Sequence, residues 1–115
     1  MKLRIKSDSL RYRLTQTDVS RLAKEGYLED QVSFAGSPLI YALQLTEGKE
    51  LTTSYIDNKI TMCMSRKMIN ELINTDRVGF ENNDGELELL VEKDFVCLDT
   101  TAEDQSDNYP NPAIK

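Results

Sequence analysis

Lys2-Leu3-Arg4-Ile5-Lys6-Ser7-Asp8-Ser9-Leu10-Arg11-Tyr12-Arg13-Leu14-Thr15-Gln16-Thr17-Asp18 opens the chain and decides how the rest is read. Leu3 and Ile5 alternate with Lys2, Arg4 and Lys6. Leu10, Tyr12 and Leu14 alternate with Arg11 and Arg13. A period of two marks a strand with one face buried. Ser7-Asp8-Ser9 between the two runs is turn chemistry, because short polar side chains bond their own backbone. The stretch predicts a β-hairpin with one apolar and one cationic face. Thr15 then offers an oxygen to the free N–H groups of a helix start, and Asp18 suits the positive end of the helix dipole. Val19, Leu22 and Ala23 supply the apolar helix face. Gly26 suits a left-handed cap.

Working outward, Val32 and Phe34 predict a short strand, which Gly36-Ser37-Pro38 breaks. Leu39, Tyr41, Leu43 and Leu45 alternate as a further strand. The second half then repeats the plan: strands over 51–56 and 60–64, a helix capped by Ser65 with Met68, Ile69, Leu72 and Ile73 on its apolar face, a short strand at Val78 and Phe80, and a last strand over 86–93. Asn83-Asp84-Gly85 is a hairpin turn signal. Fifty positions separate Asp8 from Asn58, Leu10 from Ile60, Thr15 from Ser65 and Leu22 from Leu72. Turn, cap and helix face coincide, so the chain reads as an internal duplication with halves at about 1–48 and 49–98. The expected fold is α+β: a strand-strand-helix-strand-strand unit used twice, forming an antiparallel sheet or barrel-like sheets with two helices. Residues 1–98 form one duplicated domain in this reading. Residues 99–115 form an acidic tail rich in Pro and Asn, with Tyr109 as its docking residue.

The chain has 115 residues, enough for one core. Its formal charge of −6 repels phosphate backbones and disfavours nucleic acid as a partner. No apolar run is long enough to span a membrane, and the charged start is no signal peptide, so a cytoplasmic setting is expected. In that setting Cys63 and Cys97 are expected as reduced, mostly buried thiols. There is no histidine, which removes the commonest metal ligand and the usual neutral-pH base. No cofactor is implied by any motif. Gly48-Lys49 has no glycine-rich loop before it, and neither a Gly-x-Ser-x-Gly nor a Cys-x-x-Cys occurs.

Four groups carry chemistry. Lys2, Arg4, Lys6, Arg11 and Arg13 can converge on one face of the opening hairpin and hold a phosphate or a carboxylate. The bland alternative is a solvated face, or a partner for the protein's own acids. The tail offers such acids in Asp99, Glu103, Asp104 and Asp107, so it is expected to fold back and mask the hairpin. Glu86 and Glu88, with Glu92, can present oxygen ligands to a hard cation such as Mg²⁺. Met62, Met64 and Met68 are expected in the core, since they keep the apolar spacing.

Two resemblances follow. The basic strands and the acidic strand together look like triphosphate tunnel enzymes, which line a channel with cations and metal-binding carboxylates. The likeness is one of fold only, and Lys-x-Arg-x-Lys stands here where that family has Glu-x-Glu-x-Lys. The opening Lys-Leu-Arg-Ile-Lys-Ser-Asp-Ser-Leu-Arg-Tyr-Arg-Leu-Thr and the closing Lys-Asp-Phe-Val-Cys-Leu with Glu-Asp-Gln-Ser-Asp-Asn-Tyr-Pro-Asn-Pro resemble a family of short uncharacterised bacterial proteins of unknown function. That resemblance implies a bacterial cytosolic setting and brings no functional residues with it.

The expected function is a non-catalytic binding or interaction module, with a protein partner or a small anion. A phosphate or nucleotide binder using the basic hairpin is the alternative. A metal-dependent phosphoanhydride hydrolase using Glu86 and Glu88 is a further one.

Overall fold

The computed structural model describes residues 1–95 and 106–110. The elements run β1 (Lys2–Lys6), β2 (Ser9–Leu14), α1 (Gln16–Glu25), β3 (Tyr27–Val32), β4 (Leu39–Thr46), β5 (Thr52–Ile56), β6 (Lys59–Ser65), α2 (Arg66–Asn74), β7 (Gly79–Asp84) and β8 (Leu87–Lys93). The fold is α+β, and the strand-strand-helix-strand-strand order occurs twice.

Local chemistry sets the breaks. Asp57 and Asn58 both take positive φ, 51° and 62°, the pair a tight two-residue hairpin turn needs. Thr15 and Asp18 form a reciprocal capping box, each side chain bonded to the other's backbone N–H. Ser65 caps α2 by accepting from the Met68 N–H. Gly26 closes α1 in the left-handed conformation at φ 77°, and β3 begins at the next residue. The strand expected at Val32 and Phe34 therefore starts earlier, and Phe34 lies beyond it, exposed.

The strands make two four-stranded sheets, ordered β1-β2-β8-β7 (sheet A) and β3-β4-β6-β5 (sheet B). Each takes one hairpin from each half. The two orders exchange when the first half is replaced by the second, as a pseudo-twofold axis requires. The register agrees: Leu10 faces Leu89 and Tyr12 faces Val91 in sheet A, while Ile60 faces Tyr41 and Met62 faces Leu43 in sheet B.

Two expectations are corrected here. The sheets are mixed, because the central pairs β2·β8 and β4·β6 run parallel while the outer pairs are antiparallel. Hairpins force antiparallel neighbours, but the joint between hairpins from different halves carries no such constraint. The sheets also stay separate and do not close into a barrel.

The core lies between the sheets. Tyr12, Leu14, Leu43, Met62, Met64 and Val91 are fully buried there, and Val19, Leu22, Ile69 and Leu72 join them from the helices. Met68 packs with this group. The alternation that buries Met62 and Met64 turns Cys63 outward, between Gln44 and Thr52, so this thiol is only half-buried. Cys97 lies outside the described residues.

Candidate functional site

The outer face of sheet A carries the cationic residues. Register sets Lys2 opposite Arg13 and Arg4 opposite Arg11, so all four share that face with Lys6. The next strand brings Glu88, Leu90 and Glu92 beside Ser9, Arg11 and Arg13. Glu92 Oε1 accepts from Arg13 Nε at 3.0 Å and lies 3.6 Å from Arg11 Nε. Asp94 Oδ2, on a side chain only 4% exposed, lies 2.9 Å from Lys2 Nζ. Thus Lys2, Arg11 and Arg13 are matched by the protein's own acids. Among the described residues, Arg4 and Lys6 have no ion pair. Lys6 shares a row with Glu88, but Ser9 stands between them.

Glu86 lies in the turn between β7 and β8, and Glu88 lies within β8. Glu88 joins Ser9, Arg11, Glu81 and Asn83 around a shallow hollow of about 500 Å³. Among the described residues, no three carboxylates or thiols cluster as a metal site would need.

The described part of the tail docks elsewhere than on the cationic face. Asp107 accepts from Thr17 Oγ1 at 2.9 Å and from the Thr17 N–H, and its carbonyl accepts from the Gln16 N–H at 3.0 Å. These are donors at the start of α1, which a helix leaves without internal partners. The Thr15 side chain, then Thr17, holds the Asp107 carboxyl below the usual carboxylate range. Tyr109 donates its N–H to the Asp94 carbonyl at 2.8 Å, meets Phe95 edge-on and lies under Lys93 Nζ. The expected masking of the hairpin is therefore not seen in this segment. Free helix N–H groups offer Asp107 donors, whereas Arg11 and Arg13 already share Glu92. Asp99, Glu103 and Asp104 lie outside the described residues.

Two features escape a reading by motif. The first is an apolar cleft of about 360 Å³ between the sheets, walled by Ile5, Leu10, Leu39, Tyr55, Ile60 and Leu87. These six are three equivalent pairs, Ile5 with Tyr55, Leu10 with Ile60 and Leu39 with Leu87, so the cleft straddles the pseudo-twofold axis. It opens at the hairpin end, while α1 and α2 leave β2 and β6 at the other. Ile5 and Tyr55 remain 55% and 65% exposed, with Leu10 and Ile60 buried beneath. The available signal was a large apolar residue at matching places in β1 and β5, each just before a turn. The second feature is a hollow of about 810 Å³ lined by Lys49, Arg66 and Lys67, with Glu47 beside them. These cations come from the β4–β5 loop and the start of α2, distant in sequence and in no motif.

A family model described as a family of unknown function, DUF7009, matches residues 1–113, which spans both sheets, both helices and the docked segment of the tail. The chain belongs to the DUF7009 family. No curated protein and no solved structure matches it. In this DUF7009 chain, no helix of the described residues is long and apolar enough to cross a membrane.

Proposed function

We propose that the protein is a non-catalytic binding module that engages an acidic protein segment at the β1 edge of sheet A. The observation that supports this is the pair Arg4 and Lys6. Both are exposed on an edge strand, and neither is reached by the acids that neutralise Lys2, Arg11 and Arg13. Cations with no ion pair among the described residues, on an edge strand, attract opposite charge and orient what docks there. The cleft beside them is walled by carbon and a few hydroxyls, a surface for contact more than for proton transfer. The reading takes the chain as cytoplasmic.

The test is fluorescence anisotropy with a short oligoglutamate peptide and an oligolysine control. The acidic peptide should bind in a salt-sensitive way, and Arg4→Glu with Lys6→Glu should abolish it. Binding untouched by that double reversal would sink the reading.

A phosphate or nucleotide anion is the second reading. The hollow at Lys49, Arg66 and Lys67 favours it, beyond the hairpin cations. A thermal-shift panel of phosphate, pyrophosphate, triphosphate and nucleotides, with and without Mg²⁺, separates the two. A specific rise with a polyphosphate supports the anion, and a flat panel argues for the acidic segment. The phosphoanhydride hydrolase ranks below both, because the two open sheets provide no enclosing tunnel.

A further inference from the structure

β1 is the outermost strand of sheet A, so among the described residues one side of its backbone has no strand neighbour. Its second half, residues 4–6, is exposed. Sheets usually blunt such an edge with charge, since a free row of N–H and C=O groups invites another strand. Here the edge is charged on one face only. Arg4 and Lys6 point to the outer face and lack acids among the described residues. Ile5, between them, faces the apolar cleft and is left more than half exposed.

A strand laid beside β1 would alternate in the same way. One set of its side chains would stand next to Arg4 and Lys6. The other set would enter the cleft beside Ile5, over Leu10 and Leu39. Charge matching requires acids in the first set, and the apolar walls require hydrocarbon in the second. We propose that the β1 edge binds an extended peptide of alternating acidic and apolar residues by strand addition, with an apolar side chain seated in the cleft. This rests on the acidic-segment reading above and names the chemistry of that segment. Main-chain hydrogen bonds supply attraction in this mode, and alternate side chains supply selectivity. A second copy docking β1 to β1 is disfavoured, because Arg4 and Lys6 of each chain would face one another.

The experiment uses the intact chain, labelled for amide NMR, and three short synthetic peptides alternating Glu-Leu, Glu-Ser and Lys-Leu. The Glu-Leu peptide should bind about tenfold or more tighter than either other, with shifts at residues 3–6 and at Leu10, Leu39 and Ile60. Ile5→Ser, at an exposed position, should reduce Glu-Leu binding to the Glu-Ser level and leave Glu-Ser binding as it was. Equal binding of Glu-Ser and Glu-Leu overturns the cleft's role while the acidic-segment reading stands. Failure of both acidic peptides overturns the two together. Shifts confined to β7 or to the tail, or shifts that follow protein concentration alone, place the contact elsewhere and overturn strand addition at β1.

Discussion

The Tyr12 hydroxyl donates to the Ile60 carbonyl oxygen across 3.3 Å, joining sheet A to sheet B inside the core. Tyr12 is fully buried, and its ring meets Tyr41 edge-on with centroids 6.3 Å apart. Tyr12→Phe keeps the ring and deletes the bond. The expected cost is about 1 kcal/mol, read as a lower urea midpoint with an unchanged slope.

Burial pushes the Tyr12 hydroxyl well above its ordinary ionisation range, and Tyr41 is raised by burial and then by Asp30. Groups raised on folding contribute stability that is complete below their unfolded value, near 10. That contribution is lost as pH rises from there towards the folded value. Stability should therefore fall above about pH 10, and less steeply in Tyr12→Phe. Burial lowers Lys93, which acts in the opposite sense in both proteins, so the difference between the two urea series reports Tyr12 together with its coupling to Tyr41.

Asp107 gives an acid-side counterpart. Its carboxyl is lowered by the Thr15 side chain and then by Thr17, so its contribution is present above the unfolded carboxylate value and lost as pH falls through the folded one. Asp107→Ala should speed hydrogen exchange at the Thr17 and Tyr109 amides at neutral pH. The wild-type chain should approach the same rates only in strong acid. Equal protection in both proteins at neutral pH would refute the docking role.

Gly79 packs where no side chain fits. An added Cβ would meet the Val91 carbonyl and come within 2.8 Å of the Glu92 Cβ. Gly79→Ala is expected to lose about 1–3 kcal/mol, the range for overpacking. It should also loosen the hold of Glu92 on Arg11 and Arg13, visible as shifts of the arginine Nε–H signals.

Glu92→Gln frees Arg11 and Arg13 and extends the cationic face beyond Arg4 and Lys6. Both ion pairs are partly solvated, so stability should change by less than about 1 kcal/mol. Affinity for the acidic peptide should rise several-fold. An unchanged affinity would mean that bound peptide stays at the β1 edge without reaching β2.

Much of this was written in short stretches of sequence. The alternation in residues 2–14 shows two strands and which face of each is buried, because strand period is a local property. Thr15 with Asp18, Ser65 and Gly26 mark helix ends within three residues of the groups they satisfy. Asp57-Asn58 declares its turn through backbone conformation alone. Even the duplication was legible, since turn, cap and helix face recur in the same order. What the alternation cannot state is which strand lies next door. That β2 pairs with β8 and runs parallel to it follows from burying two hairpins of different halves in one sheet. From that single choice come the clamp of Glu92 on Arg11 and Arg13, the place of Arg4 and Lys6 on an edge strand, and the cleft between Ile5 and Tyr55. These contacts join residues tens of positions apart, and only packing, which weighs all such contacts together, could decide them.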